Sequence, residues 1–319
     1  MSDNMNKSLW LIGVGHMAVE YVKVLDALSV PFTAIGRGEE SAAAFEKKCG
    51  RTVRTGGLNK WLNNSEVQNP ESAIVAVGME QLAPVTINLL KNGVKKILVE
   101  KPGGLNIEEI NKVAEESKKR DADVFVAYNR RFYASVQKAQ EIIQDDGGVT
   151  SFHFEFTEWS HKISELKKAP GVKENWFIGN SSHVVDLAFF LGSHPKEIIS
   201  FTAGGLKWHP VASIFSGAGI AENGALFSYQ ANWEAPGRWG IEIMTQKYRL
   251  IFRPLEKLQI QEIGSINTDF VEIDDNLDKN FKPGLYNETK NFLNKSKDQL
   301  CTIHNQEANI KYYKKMLGQ

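Results

Sequence analysis

The sequence predicts an α/β protein in two parts, a doubly wound parallel sheet followed by an α+β domain with a mostly antiparallel sheet. Short apolar runs alternate with helical patterns from Ser8 to Tyr128, as strand–helix–strand crossovers require. Beyond Tyr128 the period changes: Phe152, Phe154 and Phe156 alternate with His153, Glu155 and Thr157, the mark of a strand with one buried face. A chain of 319 residues also suits two domains better than one small core. The expected division is 1–127 and 128–319, with a final helix that could pack back on the first domain.

The elements follow in order. Ser8 to Ile12 is a short apolar run ended by Gly13, which reads as a buried parallel strand. Val19, Val22, Val24 and Leu25 then recur near helical spacing, and Phe32 to Ile35 reads as a second strand ending at Gly36-Arg37-Gly38. A helix around Ala42 to Lys48, a strand at Ala73 to Val77 and a helix from Ala83 to Lys91 come next. The strand Lys96 to Val99 runs into Glu100-Lys101-Pro102. Asn106, with Glu109 three residues on, opens a helix in capping-box fashion and leads to a strand at Val124 to Tyr128. In the second half, strands are expected at Ala225 to Trp233, Trp239 to Thr245 and Tyr248 to Phe252, and helices at Ser182 to Leu191 and Gln306 to Leu317.

Composition excludes several classes. Lysine plus arginine equals aspartate plus glutamate, at 38 each, so no net field recruits nucleic acid or an anionic membrane. Two distant cysteines, Cys49 and Cys301, make neither a disulfide framework nor a metal motif, and fit a reducing cytoplasm. Met1 to Lys7 is polar and lacks the apolar core of a signal peptide, and no apolar segment is long enough to span a bilayer. A cytoplasmic protein without a metal site is expected.

Gly13-Val14-Gly15-His16-Met17-Ala18 matches G-x-G-x-x-G/A between an expected strand and an expected helix. The first glycine permits a tight turn, and the second lets the backbone approach a pyrophosphate. Ala18 keeps the helix close to the strand, and the helix N-terminus at His16 and Met17 offers free N–H groups. In that context the match reads as a Rossmann dinucleotide site. NAD sites usually carry Asp or Glu at the end of the second strand, but here stands Gly36-Arg37-Gly38. Arg37 has the forked donors that suit a 2′-phosphate, and Ser41 could add a hydroxyl, which favours NADP. Arg37 could instead be an exposed loop charge, and Glu39 or Glu40 could reach a ribose, so NAD stays open as the lesser reading.

Glu100-Lys101-Pro102 falls where open α/β sheets bind ligands, outside the carboxyl ends of the strands. Taken with the glycine loop, Tyr128-Asn129-Arg130-Arg131-Phe132 and Asn180-Ser181-Ser182-His183-Val184-Val185-Asp186, the ordered set resembles the glucose–fructose oxidoreductase, inositol dehydrogenase and rhizopine catabolism family, Gfo/Idh/MocA. That resemblance implies a second domain with a large open sheet, through which members associate as homodimers or homotetramers. It implies hydride transfer at a carbon of a sugar, cyclitol or sugar nucleotide, with surface-polysaccharide sugar synthesis as one setting. It places Lys101, with Glu100 beside it, at the nicotinamide and the reacting hydroxyl, and gives His183 the acid/base role.

The chemistry supports those roles. A histidine titrates near neutrality, and an ammonium can stabilise developing alkoxide charge. Tyr128, Arg130, Arg131, Asn180 and Asp186 are the candidates for contact with substrate. The arginines could instead pair across a domain interface, and Asp186, at i+3 from His183, could orient that ring. Many members place an aspartate four residues before the histidine; here that position is Gly179. Two other readings therefore stay open: a nucleotide-binding sensor without turnover, and a reductase of a non-sugar substrate.

Overall fold

The structure is a computed structural model that describes residues 8–294 and 299–319, so the polar N-terminal segment Met1 to Lys7 lies outside the described residues. The chain divides into two units, Met1–Tyr128 with Leu285–Ala308, and Asn129–Gly284 with Asn309–Gln319.

The first unit is built on β1 (Leu9–Ile12), β2 (Phe32–Ile35), β3 (Val53–Arg54), β4 (Ser72–Val75), β5 (Lys96–Glu100) and β6 (Asp123–Ala127), with the two-residue strand Cys301–Thr302 at one edge. The strands lie in the order β3-β2-β1-β4-β5-β6, all parallel, and Cys301–Thr302 pairs antiparallel with β6. Chain order reverses between β1 and β4, the position where such sheets open a crevice at their carboxyl ends. All four residues of β1 are buried, as a strand covered on both faces demands.

Helix His16–Ala27 buries Ala18, Tyr21, Val22, Val24 and Leu25. The Tyr21 hydroxyl donates to Glu100 at 3.0 Å. Burial, and then the charges of Glu100 and Glu288, hold that phenol well above its usual pKa. Asn106 caps helix Ile107–Lys119 by accepting from the Glu109 amide at 3.0 Å. The Glu109 carboxylate reaches back to the Leu105 amide at 2.8 Å, one residue beyond the usual box partner.

The second unit carries β7 (Ser151–Glu155), β8 (Pro195–Ala203), β9 (Ile214–Ala221), β10 (Leu226–Asn232), β11 (Gly240–Met244), β12 (Tyr248–Phe252), β13 (Gln259–Glu262) and β14 (Asp269–Phe270). They form one sheet in the order β14-β13-β12-β11-β7-β10-β9-β8. It is antiparallel except where β7 and β10 run parallel at its centre. The expected mostly antiparallel sheet is therefore present.

Its inner face is aromatic. Phe152, Phe154 and Phe156 are buried, Phe152 stacks on Phe227 at 5.2 Å, and Phe154 meets Phe189 of helix Ser182–Gly192 edge-on at 5.5 Å. The outer face is less polar than the alternation alone suggests, because Ile199, Phe201, Ile214, Ile220 and Leu226 stand exposed on it.

Arg131 fixes the start of this unit. Its guanidinium forms a bidentate pair with Asp186, Nε to Oδ2 at 2.8 Å and Nη2 to Oδ1 at 2.5 Å, and both residues are buried. Removing one member leaves a buried charge without its counterion, so Asp186→Ala is expected to lower stability by about 3–5 kcal/mol in urea unfolding. The double variant Arg131→Met with Asp186→Leu is expected to recover much of that loss. A single-variant loss near zero would show that the pair is not desolvated.

Candidate functional site

The loop after β1 is shaped by backbone crowding. Gly13 has φ +116°, and a Cβ there would stand 2.2 Å from the carbonyl oxygen of Ala76 at the end of β4. Its amide donates to Ile35 O at 2.9 Å, which ties the turn to the end of β2. Gly15 caps helix His16–Ala27 in extended conformation, and nothing lies within 4 Å of where its Cβ would project. The helix thus begins at an open, side-chain-free surface, with the first-turn amides and the positive dipole end directed there. Ala18 is fully buried beneath.

A cleft of about 1190 Å³ opens over this loop. It brings together Gly13, Gly15, His16, Met17, Arg37 and Ser41, six of the residues singled out from the sequence. Glu39 and Glu40 are not among its lining; they occupy the exposed first turn of helix Glu39–Cys49, where carboxylates suit the helix dipole. Arg37 is exposed, and among the described residues its guanidinium has no carboxylate partner. The Ser41 hydroxyl donates to Gly38 O at 3.0 Å. Sequence reasoning missed Gly56, Gly57, Val77, Gly78 and Asn88, which complete the walls. Gly56-Gly57 and Val77-Gly78 follow β3 and β4, so the ends of those strands were the available signal. An adenine dinucleotide fits this donor set, the helix N-terminus suiting a pyrophosphate.

Lys101 and Glu100 are half-buried at the end of β5, with the Lys101–Pro102 peptide cis. Tyr128 is buried, and its hydroxyl meets the Gln306 amide at 3.0 Å; the same amide donates to Pro102 O at 3.2 Å. Tyr128 thus braces the turn that carries Lys101. Arg131 and Asp186, also expected at substrate, neutralise each other in the buried pair.

In the second unit a wide π turn, Phe177–Ser181, leads into helix Ser182–Gly192, and His183 lies in the first helical turn, 5 % exposed. Its ring centre is 6.2 Å from that of Trp239. Asn180 turns its amide to Glu158, Nδ2 to Oε1 at 2.9 Å, and the Ser181 hydroxyl donates to the same oxygen at 2.8 Å. Arg238 lies 3.7 Å from the other carboxylate oxygen. Glu158 is the principal residue that sequence reading overlooked. It keeps the even-numbered phase of Phe152, Phe154 and Phe156, and a charge in phase with a buried stripe was the signal.

Among the described residues no cluster of three or more His, Cys, Asp or Glu could hold a metal, and no helix is long and apolar enough to cross a membrane.

Sheet order, glycine turn and cleft together define a dinucleotide-binding Rossmann unit. Residues 8–128 match the Gfo/Idh/MocA family model, described as "Oxidoreductase family, NAD-binding Rossmann fold". No curated protein matches the chain in sequence.

Solved structures share the fold over nearly the whole length. A candidate NADPH-dependent oxidoreductase from Desulfitobacterium hafniense is 18% identical, with 98% of this chain and 94% of that one covered and a TM-score of 0.76. The WlbA dehydrogenase from Chromobacterium violaceum, in complex with NADH and UDP-GlcNAcA, is 15% identical, with 99% and 94% covered and a TM-score of 0.72. The UDP-N-acetylglucosamine 3-dehydrogenase GnnA from Acidithiobacillus ferrooxidans is 15% identical, with 98% of both chains covered and a TM-score of 0.73.

Burial pushes the Glu158 carboxyl above the ordinary carboxylate range, against the pull of Ser181, Asn180, Arg238 and Trp176. A carboxyl with a raised pKa binds its proton more tightly in the folded state. Its contribution is then fully present below the unfolded value of about 4.3 and is lost as pH rises through the folded value. Glu158→Gln is therefore expected to gain stability relative to the parent as pH rises through that window, read by urea unfolding at stepped pH. A difference that stays flat with pH would show an unperturbed carboxyl.

Proposed function

We propose that this protein transfers hydride between NADP(H) and a carbon of a sugar, cyclitol or sugar nucleotide. The observation that carries the reading is one cleft, in a unit that matches the Gfo/Idh/MocA Rossmann model, in which Gly13, Gly15, His16, Met17, Arg37 and Ser41 converge. The sugar class is supported by the named activities of the structural neighbours, two of which concern UDP-linked amino sugars. A role in surface-polysaccharide sugar synthesis accords with that class.

The nicotinamide would supply the hydride acceptor or donor. On the protein side, Lys101 would hydrogen-bond the reacting oxygen and stabilise alkoxide charge, with Glu100 beside the cofactor. His183 would take the hydroxyl proton in oxidation or return it in reduction. Asn180 and Arg130 would contact the substrate. The exposed apolar residues on the outer face of the eight-stranded sheet, Ile199, Phe201 and Leu226 among them, support homodimer or homotetramer formation there. A cytoplasmic setting suits a nicotinamide-linked reaction with two free cysteines.

The NADP preference rests on Arg37 and Ser41 lining the cleft while Glu39 and Glu40 do not. Arg37→Ala is expected to weaken NADPH binding roughly tenfold or more and to leave NADH nearly unchanged, by fluorescence titration. Equal losses for both cofactors would remove the 2′-phosphate argument.

Turnover is tested by following NADPH and NADP absorbance against sugars, keto-sugars and sugar nucleotides. Lys101→Ala and His183→Ala are each expected to lower kcat/KM by about 10²–10⁴-fold while cofactor still binds. Tight cofactor binding with no turnover across the panel would turn the reading to a nucleotide-binding sensor.

A further inference from the structure

The turn that presents His183 is not closed by its own helix. Phe177–Ser181 is a π turn, a rare geometry that persists as single turns, often at functional sites. Ser181 takes the N-cap position of helix Ser182–Gly192, yet its hydroxyl makes no cap bond to that helix. It donates instead to Glu158 Oε1 at 2.8 Å, and Asn180 donates Nδ2 to the same oxygen at 2.9 Å. The two residues ahead of Ser182 are thus tied to one carboxylate from outside the helix.

Glu158 is itself firmly held. It is 2 % exposed, and the residues before it are pinned to β10, where the Phe156 amide donates to Gln230 O and the Asn232 amide to Thr157 Oγ1, both at 3.2 Å. Its second oxygen lies 3.7 Å from Arg238 Nη1. The Arg238 guanidinium is flanked by two indoles, with Cζ 4.8 Å from the ring centre of Trp159 and 4.5 Å from that of Trp239. The Trp159 indole N–H donates to Gly237 O at 3.0 Å, which ties the neighbour of Glu158 to the segment that carries Trp239. Trp239 in turn stands beside His183, ring centres 6.2 Å apart and planes at 49°.

Glu158 therefore reaches the surroundings of His183 by two routes, the turn ahead of it and the indole beside it. They are unequal. Buried hydrogen bonds to a carboxylate are strong and directional, whereas an ion pair to the half-exposed Arg238 is weakened by solvent. The turn is the principal route.

We propose that Glu158 is a positioning residue for His183: through Ser181 and Asn180 it fixes the π turn that aims the imidazole, and through Arg238 it steadies the neighbouring indole. The inference rests on the reading of His183 as the acid/base group, but the setting of its ring is measurable without substrate. A proton-transfer group must stay within hydrogen-bond reach of the reacting oxygen, so a tilted turn costs rate more than affinity.

The test is an imidazole proton–nitrogen NMR spectrum of the full chain labelled with ¹⁵N-histidine, at neutral pH, with the His183 signal assigned by its loss in His183→Asn. One sharp His183 signal is expected in the parent. Glu158→Gln keeps a side-chain carbonyl oxygen for Ser181 and Asn180 and is expected to keep that signal in place. Glu158→Leu cannot accept from either donor and is expected to shift or split it. Should that variant fail to fold, Ser181→Ala removes one of the two bonds and is expected to shift or broaden the same signal. The signals of His16 and His304, in the first unit, are expected to hold throughout. With a substrate from the sugar panel, kcat of Glu158→Leu is expected to fall roughly tenfold or more with KM within about twofold, and Glu158→Gln to recover most of the loss.

A His183 signal unmoved in Glu158→Leu, or in Ser181→Ala where the first does not fold, would overturn the proposal, even if stability fell. So would Glu158→Gln disturbing the signal as much as Glu158→Leu. The expected spectra without turnover on any sugar would leave the positioning role standing and remove the acid/base reading.

Discussion

Where β1 hands over to its helix, the chain passes so close to Ala76 that a single added carbon at Gly13 would overlap the carbonyl oxygen. That approach joins the carboxyl ends of β1 and β4, the two strands between which chain order reverses. Much of the cofactor region depends on it. With the turn held there, Gly15 caps the helix in the open, and Ala18 seats the helix against the sheet. A similar constraint acts at Gly36, where a Cβ would stand 3.0 Å from Val14 and 3.1 Å from Val53. Close packing at that point sets the path by which Arg37 reaches the cleft.

The second unit solves a different problem. Its sheet offers one aromatic face, and helix Ser182–Gly192 is covered so thoroughly that ten of its eleven residues are buried. A helix so immersed can present polar groups only where partners await them. Asp186 has Arg131, the Ser182 hydroxyl donates to Ile178 O at 2.6 Å, and Asn180 and Ser181, just ahead of the helix, have Glu158. His183 therefore sits in a helix whose other polar side chains, Ser182 and Asp186, are each paired.

How far the sequence disclosed this follows from the length scale of each signal. Five strands of the first unit, β1, β2, β4, β5 and β6, rest on local apolar runs and were readable for that reason. β3 and Cys301–Thr302 are two residues each, too short for any period to register. Helix Ala134–Asp145 and strands β8 and β9 also went unread, since neither strand alternates strictly and β9 carries Gly217 and Gly219. The glycine loop was legible because its chemistry is contiguous. The Tyr128–Gln306 contact was not legible, because the two are 178 residues apart and no spacing rule links them.

Gly179 illustrates the same limit at the level of chemistry. Relatives that carry an aspartate there obtain a carboxylate from the histidine's own segment. In this chain the segment Phe156–Glu158 continues along β10, with the Phe156 amide donating to Gln230 O at 3.2 Å and the Asn232 amide to Thr157 Oγ1 at 3.2 Å. That extension holds Glu158 in the phase of the buried face and delivers its carboxylate to Asn180 and Ser181. A carboxylate supplied from the sheet is anchored by strand pairing and is shared among two neutral donors and Arg238. Where position 179 offers no charge, the register of β7 and β10 brings one to the neighbouring Asn180 and Ser181 from the sheet.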